Sequence, residues 1–263
     1  MTHRRRPTLL PLRAVMLLMA VLVAWPGAGV HAQGLDAHAA AGARFEALRN
    51  ADPAAMPRLA DAQAAETLQT LGDVQQFLPQ RMSAQLPAVA DACGRVRDAI
   101  VAYQSFEAMQ GGQLLPQRLL DNGATFQEEL AQLQPFLAHC IARQVPLAEA
   151  TLERIDPRMR AQLRLGGLRR GQASVMQLYA SLSTSLADAR VERAHTKALL
   201  KALAETASVH VRALSLDDRR SLRETAGAQL RKAPSSAPWQ RIRQAMADER
   251  CAALCELASS PAR

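Results

Sequence analysis

The sequence predicts an all-α protein: an irregular bundle of about eight or nine helices, stapled by disulfides. Three observations carry that expectation. Ala, Leu, Gln, Arg and Glu, all strong helix formers, dominate beyond residue 33. No stretch alternates apolar and polar residues as a half-buried strand would, and β-branched runs are absent. Four cysteines, an even number, follow a segment that reads as an export signal.

That segment is residues 1–32. His3 and Arg4, Arg5 and Arg6 make a basic start, Ala14 to Trp25 make an apolar run of twelve residues, and Pro26-Gly27 break it. Val30-His31-Ala32 supplies the small-x-small pattern of a cleavage site, so processing between Ala32 and Gln33 is expected. A span of the hydrocarbon core takes about 20 residues, so the run suits a removable signal better than an anchor. The expected location is the bacterial periplasm, or secretion, and an integral membrane protein is not expected.

From 33 to 263 a single helical domain is expected, with helices at 35–50, 54–72, 87–109, 123–143, 147–165, 171–185, 187–214, 216–231 and 238–258. Pro53, Pro87, Pro146, Pro157 and Pro238 stand near the starts, and Gly111-Gly112 and Gly166-Gly167 mark breaks. A subdivision is expected near 144–157, and Pro135 should kink or split its helix. Ser215 with Asp218 is a helix-start signal for 216–231. Ala233-Pro234-Ser235-Ser236-Ala237 is a short linker before the last helix. Two stripes recur at spacings of four and three and should face one core: Val89, Cys93, Val96, Ile100 and Tyr103, and Phe126, Leu130, Leu133, Leu137 and Cys140.

Four cysteines allow three pairings. Cys93 and Cys140 lie in the middle of the two stripes, so a bridge between them is geometrically natural, and closing that loop stabilises by about 4 kcal/mol in the chain-entropy model. Cys251 and Cys255 are one turn apart. On a regular helix their Cβ atoms stand about 5–6 Å from each other, beyond the 3.5–4.5 Å or so of a disulfide. Either the helix end distorts or the pair reaches back to Cys93 and Cys140. Zinc held by Cys251, Cys255 and His139 or Cys140 is the alternative, but the tight C-x2-C pairs of such sites are missing. No metal or cofactor is expected.

The charge is unevenly distributed. Without the first 32 residues the chain holds 28 basic and 24 acidic groups, and residues 33–150 carry a net −5 against +9 for 151–263. Such a split points to an anionic partner for the second half, or to two halves that fold against each other. The strongest surface feature is a face of helix 187–214 made by Arg190, Arg193, Lys197, Lys201, Ser208 and Arg212, opposite Val191, Leu199, Ala202, Leu203 and Val209. Arg154, Arg158, Arg160, Arg164, Arg169 and Arg170 form a second basic cluster. Either is a solvated face or a seat for phospholipid headgroups, an acidic protein or a second copy.

Catalytic patterns are missing. Glu192 and His195 make one E-x-x-H pair, whereas a di-iron centre needs two, and His38, His139 and His210 have no Glu three residues before them. His195 and His210 fall on or near the apolar face of 187–214 and read as structural. The acid pairs Glu128-Glu129, Asp217-Asp218 and Asp248-Glu249 diverge by about 100° on a helix and do not converge on a substrate. No nucleophile elbow, P-loop, H-E-x-x-H or dinucleotide fingerprint occurs. Beyond residue 32 there are eight aromatics, too few for a stacking platform, so nucleic acid is not expected as a partner. The expected function is non-catalytic binding of a protein or anionic membrane surface in the envelope through Arg190, Arg193, Lys197, Lys201 and Arg212. The alternatives are a carrier of a lipid or other apolar ligand between helices, and a hydrolase with no recognisable motif.

Overall fold

The computed structural model describes residues 26–77, 86–156 and 166–259. Among these residues it is all-α, with ten helices and one two-stranded hairpin. The basic start and apolar run of the expected signal, and residues 157–165 with Pro157, Arg158, Arg160 and Arg164, lie outside the described residues.

The organising element is α5, Gln127–Glu153. Leu130, Leu133, Phe136, Leu137, Cys140, Ile141, Val145 and Leu152 are all buried on it and cover about half its circumference, while Glu128, Gln132, His139 and Arg143 lie on the other face. So broad an apolar face needs several neighbours to cover it. Around α5 stand α3 (Leu86–Gln104), α6 (Gly166–Ala187), α7 (Arg193–His210) and α10 (Ala253–Ser259). Where two helices were expected, 123–143 and 147–165, a single helix runs on: Pro135 does not split it, and both Pro135 and Pro146 lie inside it. Each proline deletes one backbone hydrogen bond, at about 3 kcal/mol. Burial of Leu133, Phe136 and Leu137 around the first, and of Val145 and Ala148 around the second, offsets that loss.

Both predicted stripes are in the core: Val89, Cys93, Val96, Ile100 and Tyr103 on α3 face Leu130, Leu133, Leu137 and Cys140 on α5, with Phe126 just before it. The helix expected to reach 109 ends at Gln104. Its terminal carbonyls are met by a buried side chain, Asn122 Nδ2, which donates to the oxygens of Gln104 (3.0 Å) and Phe106 (2.7 Å). There follows a hairpin, β1 Met109–Gln110 and β2 Gln113–Leu114, turned by Gly111 and Gly112 with φ of +56° and +80°. Two successive positive φ values are what a type I′ turn needs. Asn122 sits on α4, Pro116–Thr125, a separate helix with proline at its first turn where a start at 123 was expected.

The first helix, α1, spans Pro26–Ala51, so the expected cleavage point falls within it. The helix expected at 54–72 begins only at Ala62, as α2 (Ala62–Leu71), capped by Asp61, whose side chain accepts from Gln63 N. Residues 52–61 are pinned elsewhere. Tyr103 donates its hydroxyl to Pro57 O (2.6 Å), while Glu129 Oε1 accepts from Leu59 N (2.9 Å) and Arg58 Nε (3.0 Å). Those long-range bonds replace the local ones a helix would make.

At the other end, α8 (Leu216–Lys232) starts at its predicted cap: Asp218 N donates to Ser215 Oγ, which donates in turn to Asp218 Oδ2. The helix expected at 238–258 is broken into α9 (Ala237–Ala245) and α10. Buried Arg219 accounts for the break. It donates from Nη1 to Asp248 O (2.8 Å) and Arg250 O (2.7 Å), and from Nε to Leu214 O (3.1 Å), taking up carbonyls a continuous helix would need.

The cysteines pair as Cys93–Cys140 and Cys251–Cys255. The first joins α3 to α5 across 47 residues of chain. The second closes a separation of four, with Cα atoms 5.2 Å apart. Cys251 precedes the first residue of α10, so the helical spacing that opposed this pairing does not apply. No described helix is long and apolar enough to cross a membrane.

Candidate binding surface on the basic helix

Helix α7 is set in place by its own apolar face and by one residue of α5. Thr196, Leu199, Ala202, Leu203, Ala204, Thr206, Ala207 and His210 are buried, and α5 and α9 pack against them. Gln127, at the start of α5, holds the entry turn by three bonds. Its Oε1 accepts from Glu192 N (2.7 Å) and from His195 Nδ1 (3.1 Å), and its Nε2 donates to Arg190 O (3.3 Å). The E-x-x-H pair thus anchors a helix end: His195 is turned to Gln127, not toward Glu192. No described group of three or more His, Cys, Asp or Glu is placed to hold a metal.

The helix starts at Arg193 instead of 187 because Asp188 organises residues 188–192 as a turn, accepting from Arg190 N (2.9 Å). That turn decides the fate of Arg190. Its guanidinium meets Asp188 (2.7 Å) and Asp121 of α4 (2.9 Å), and those hydrogen bonds hold the Asp188 carboxyl down to about 2 and the Asp121 carboxyl below its ordinary range. At the far end, where α7 gives way to a 3-10 turn at Val211–Ala213, Arg212 is ion-paired with Glu149 of α5. Arg190 and Arg212 therefore tie the basic second half to acids of the first half. Of the five predicted residues, these two are engaged inside the molecule.

Arg193, Lys197 and Lys201 have no described ion pair with an acid of the first half. They are exposed and follow one another at spacings of four along the outer edge of α7. At 1.5 Å per residue the row is about 12 Å long. Among the described residues Arg193 and Lys197 have no ion pair, while Lys201 is 3.9 Å from Glu205 on the next turn. Glu205 also approaches His139 of α5 at 3.5 Å, and burial lowers the pKa of that histidine. Ser208 continues the exposed edge past Glu205. Of the second basic cluster, Arg154, Arg169 and Arg170 are described: Arg154 caps α5, and Arg169 and Arg170 lie in the first turns of α6.

Sequence reasoning missed Gln127, Asp121 and Glu149. Only Glu149 carried a signal, as a lone acid at helical spacing from Val145 and Leu152 on a buried face. Two histidines are buried outright. His210 Nε2 donates to Ala138 O (2.9 Å), and burial lowers its pKa to about 4. His38 Nε2 is 3.3 Å from Leu71 O, its ring stacks on Phe136, and burial beside Arg95 lowers its pKa to about 4 as well. Both hold helices together.

A cleft of about 620 Å³ opens between α3, α5 and α6. Leu86, Ala90, Leu137 and Ile141 give it apolar walls, with Arg95 and Arg170 among its charged lining. Compared with protein-family profiles, curated proteins and solved structures, the chain matches none.

Proposed function

We propose that this chain works by non-covalent binding in the bacterial envelope, with the outer edge of α7 meeting an anionic surface. The observation that carries the proposal is the division among the five basic residues: Arg190 and Arg212 are satisfied internally, whereas Arg193 and Lys197 have no described counter-ion. A row of three exposed cations suits an extended anionic surface, of membrane or protein, better than one small anion. The signal-like pattern of residues 1–32 and the two disulfides support an oxidising location.

The test is sedimentation with phosphatidylglycerol vesicles at low and high salt. Each surface cation near anionic lipid contributes about 1 kcal/mol. Replacing Arg193, Lys197 and Lys201 together with Ala should therefore weaken binding by about 100-fold at low salt, because about 3 kcal/mol corresponds to two decades. Urea unfolding should be unchanged, since all three are exposed. Binding by the triple variant equal to that of the parent would refute the assignment.

The cleft favours a second reading, a carrier of an amphiphile with its apolar part against Leu137 and Ile141. Organic extraction of freshly purified protein followed by mass spectrometry separates the two readings. A stoichiometric lipid supports the carrier.

A further inference from the structure

The two disulfides differ in access. Cys93 and Cys140 are only 5% and 0% exposed between α3 and α5, although Cys93 lines the cleft. Cys255 is 0% exposed, but its partner Cys251 is half-buried and lies on the irregular stretch 246–252, outside any helix. Thiol–disulfide exchange requires a thiolate to reach one sulfur along the S–S axis, so access selects the bond and the atom attacked.

We propose that Cys251–Cys255 is an exchangeable disulfide that reacts through Cys251 with a small thiol of the glutathione type, while Cys93–Cys140 is structural. In the first step the glutathione thiolate attacks Cys251 Sγ. A glutathione–Cys251 bond forms, the Cys251–Cys255 bond breaks, and Cys255 leaves as a thiolate that takes a proton from water. A second glutathione thiolate then attacks the glutathione sulfur of the mixed disulfide, releasing oxidised glutathione and Cys251 as a thiolate, which also takes a proton from water. The chain gains two electrons and two protons, and two glutathiones are oxidised to one disulfide.

Two features of the surroundings support this assignment. Arg219 Nη1 is bonded to the carbonyl of Arg250 at 2.7 Å, the peptide unit that leads into Cys251. Nη2 of the same guanidinium is buried with no acceptor among the described residues. The guanidinium thus pins the backbone immediately before Cys251, so the half-buried cysteine is held in a defined position. The second feature is that opening the bond leaves the architecture anchored. The bridged cysteines are only four positions apart, and α10 is held independently by buried Leu254 and by Gln172 Nε2, which donates to Leu254 O (2.7 Å).

The test uses the oxidised full chain in native buffer with reduced glutathione, acid-quenched, alkylated and mapped by mass spectrometry. Cys251 and Cys255 should become alkylated at least about tenfold faster than Cys93 and Cys140, with the helical circular dichroism unchanged. Equal rates, or opening of the second pair only as the helical signal is lost, would overturn the proposal. Single variants decide which sulfur reacts. With oxidised glutathione, Cys255→Ala should form a mixed disulfide at Cys251, and Cys251→Ala should form one at Cys255 at least about tenfold more slowly. The reverse order overturns the assignment to Cys251. Should either variant fail to fold, the order of opening in the parent chain still decides whether the second bridge is the exchangeable one.

Discussion

Lowering the pH from 7.5 to 5.0 should destabilise this protein through two histidines that do no surface work. His210 and His38 are fully buried, and each is held at about 4 in the folded chain against 6.5 as the ordinary value. The causes differ in detail: desolvation dominates both, and His38 also faces the Arg95 guanidinium, whose Nε is 3.4 Å from its Nδ1. Because the folded pKa is the lower one, the unfolded chain binds the proton first as the pH falls. Their stabilising contribution is thus complete above about 6.5 and is lost between there and about 4. At pH 5 the linkage relation gives about 2 kcal/mol for each, or about 4 kcal/mol together. Ordinary carboxylates are ionised in both states at pH 5 and contribute little over this interval. Urea unfolding followed by circular dichroism at the two pH values measures the loss. The variant His210→Gln keeps a side-chain donor but cannot ionise, so its loss over the same interval should be smaller by about 2 kcal/mol. If parent and variant lose stability in parallel, proton uptake by the buried His210 ring is not what the acid limb reports.

Two further substitutions probe how the halves and the C-terminal segment are held. Arg212→Ala leaves the Glu149 carboxylate, whose side chain is 9% exposed, without its counter-ion, and should lower stability by about 1–3 kcal/mol in urea titrations. Arg193→Ala, at an exposed position, should stay within about 0.5 kcal/mol, and equal losses at the two sites would contradict the division drawn between them. Arg219→Leu orphans the carbonyls of Leu214, Asp248 and Arg250 and should cost about 3 kcal/mol or more. Hydrogen exchange in 246–252 should quicken at least about tenfold, and unchanged protection there would show that Arg219 does not set that loop.

What could be read from the sequence was what depends on near neighbours. The stripes on α3 and α5 were legible because burial at spacings of three and four leaves a periodic trace, and the Ser215 cap because donor and acceptor lie three residues apart. The bridge Cys93–Cys140 was legible as a consequence of those stripes. Elements settled by distant partners were not. Residues 54–61 have helical composition around Pro53 and Pro57, yet Tyr103 and Glu129 hold them as an irregular, turn-rich segment. The last helix was read as continuous because nothing within it announces that Arg219, about 30 residues earlier, removes two of its carbonyls. The same limit applied to the site. A helical projection groups Arg190 and Arg212 with Lys197, but their acids Asp121 and Glu149 lie 69 and 63 residues away, and periodicity records no partner.

The uneven charge of the chain follows the same division. Both ties take a cation from residues 151–263 and an acid from 33–150, so the halves meet in part by opposite charge, one of the two explanations the sequence allowed. That pairing works only where the partners converge at the packed ends of α7, at the turn before Arg193 and at the 3-10 turn after His210. Between those ends the inner face of the helix is apolar and gives its outer cations no internal acid to meet except Glu205. Arg193 and Lys197 stand one turn apart, and like charges at that spacing repel by a few tenths of a kcal/mol. An anionic surface laid along α7 turns that repulsion into attraction without disturbing Arg190 or Arg212. This is why added salt and the triple substitution should both weaken binding, and why the substitution should leave the urea midpoint alone.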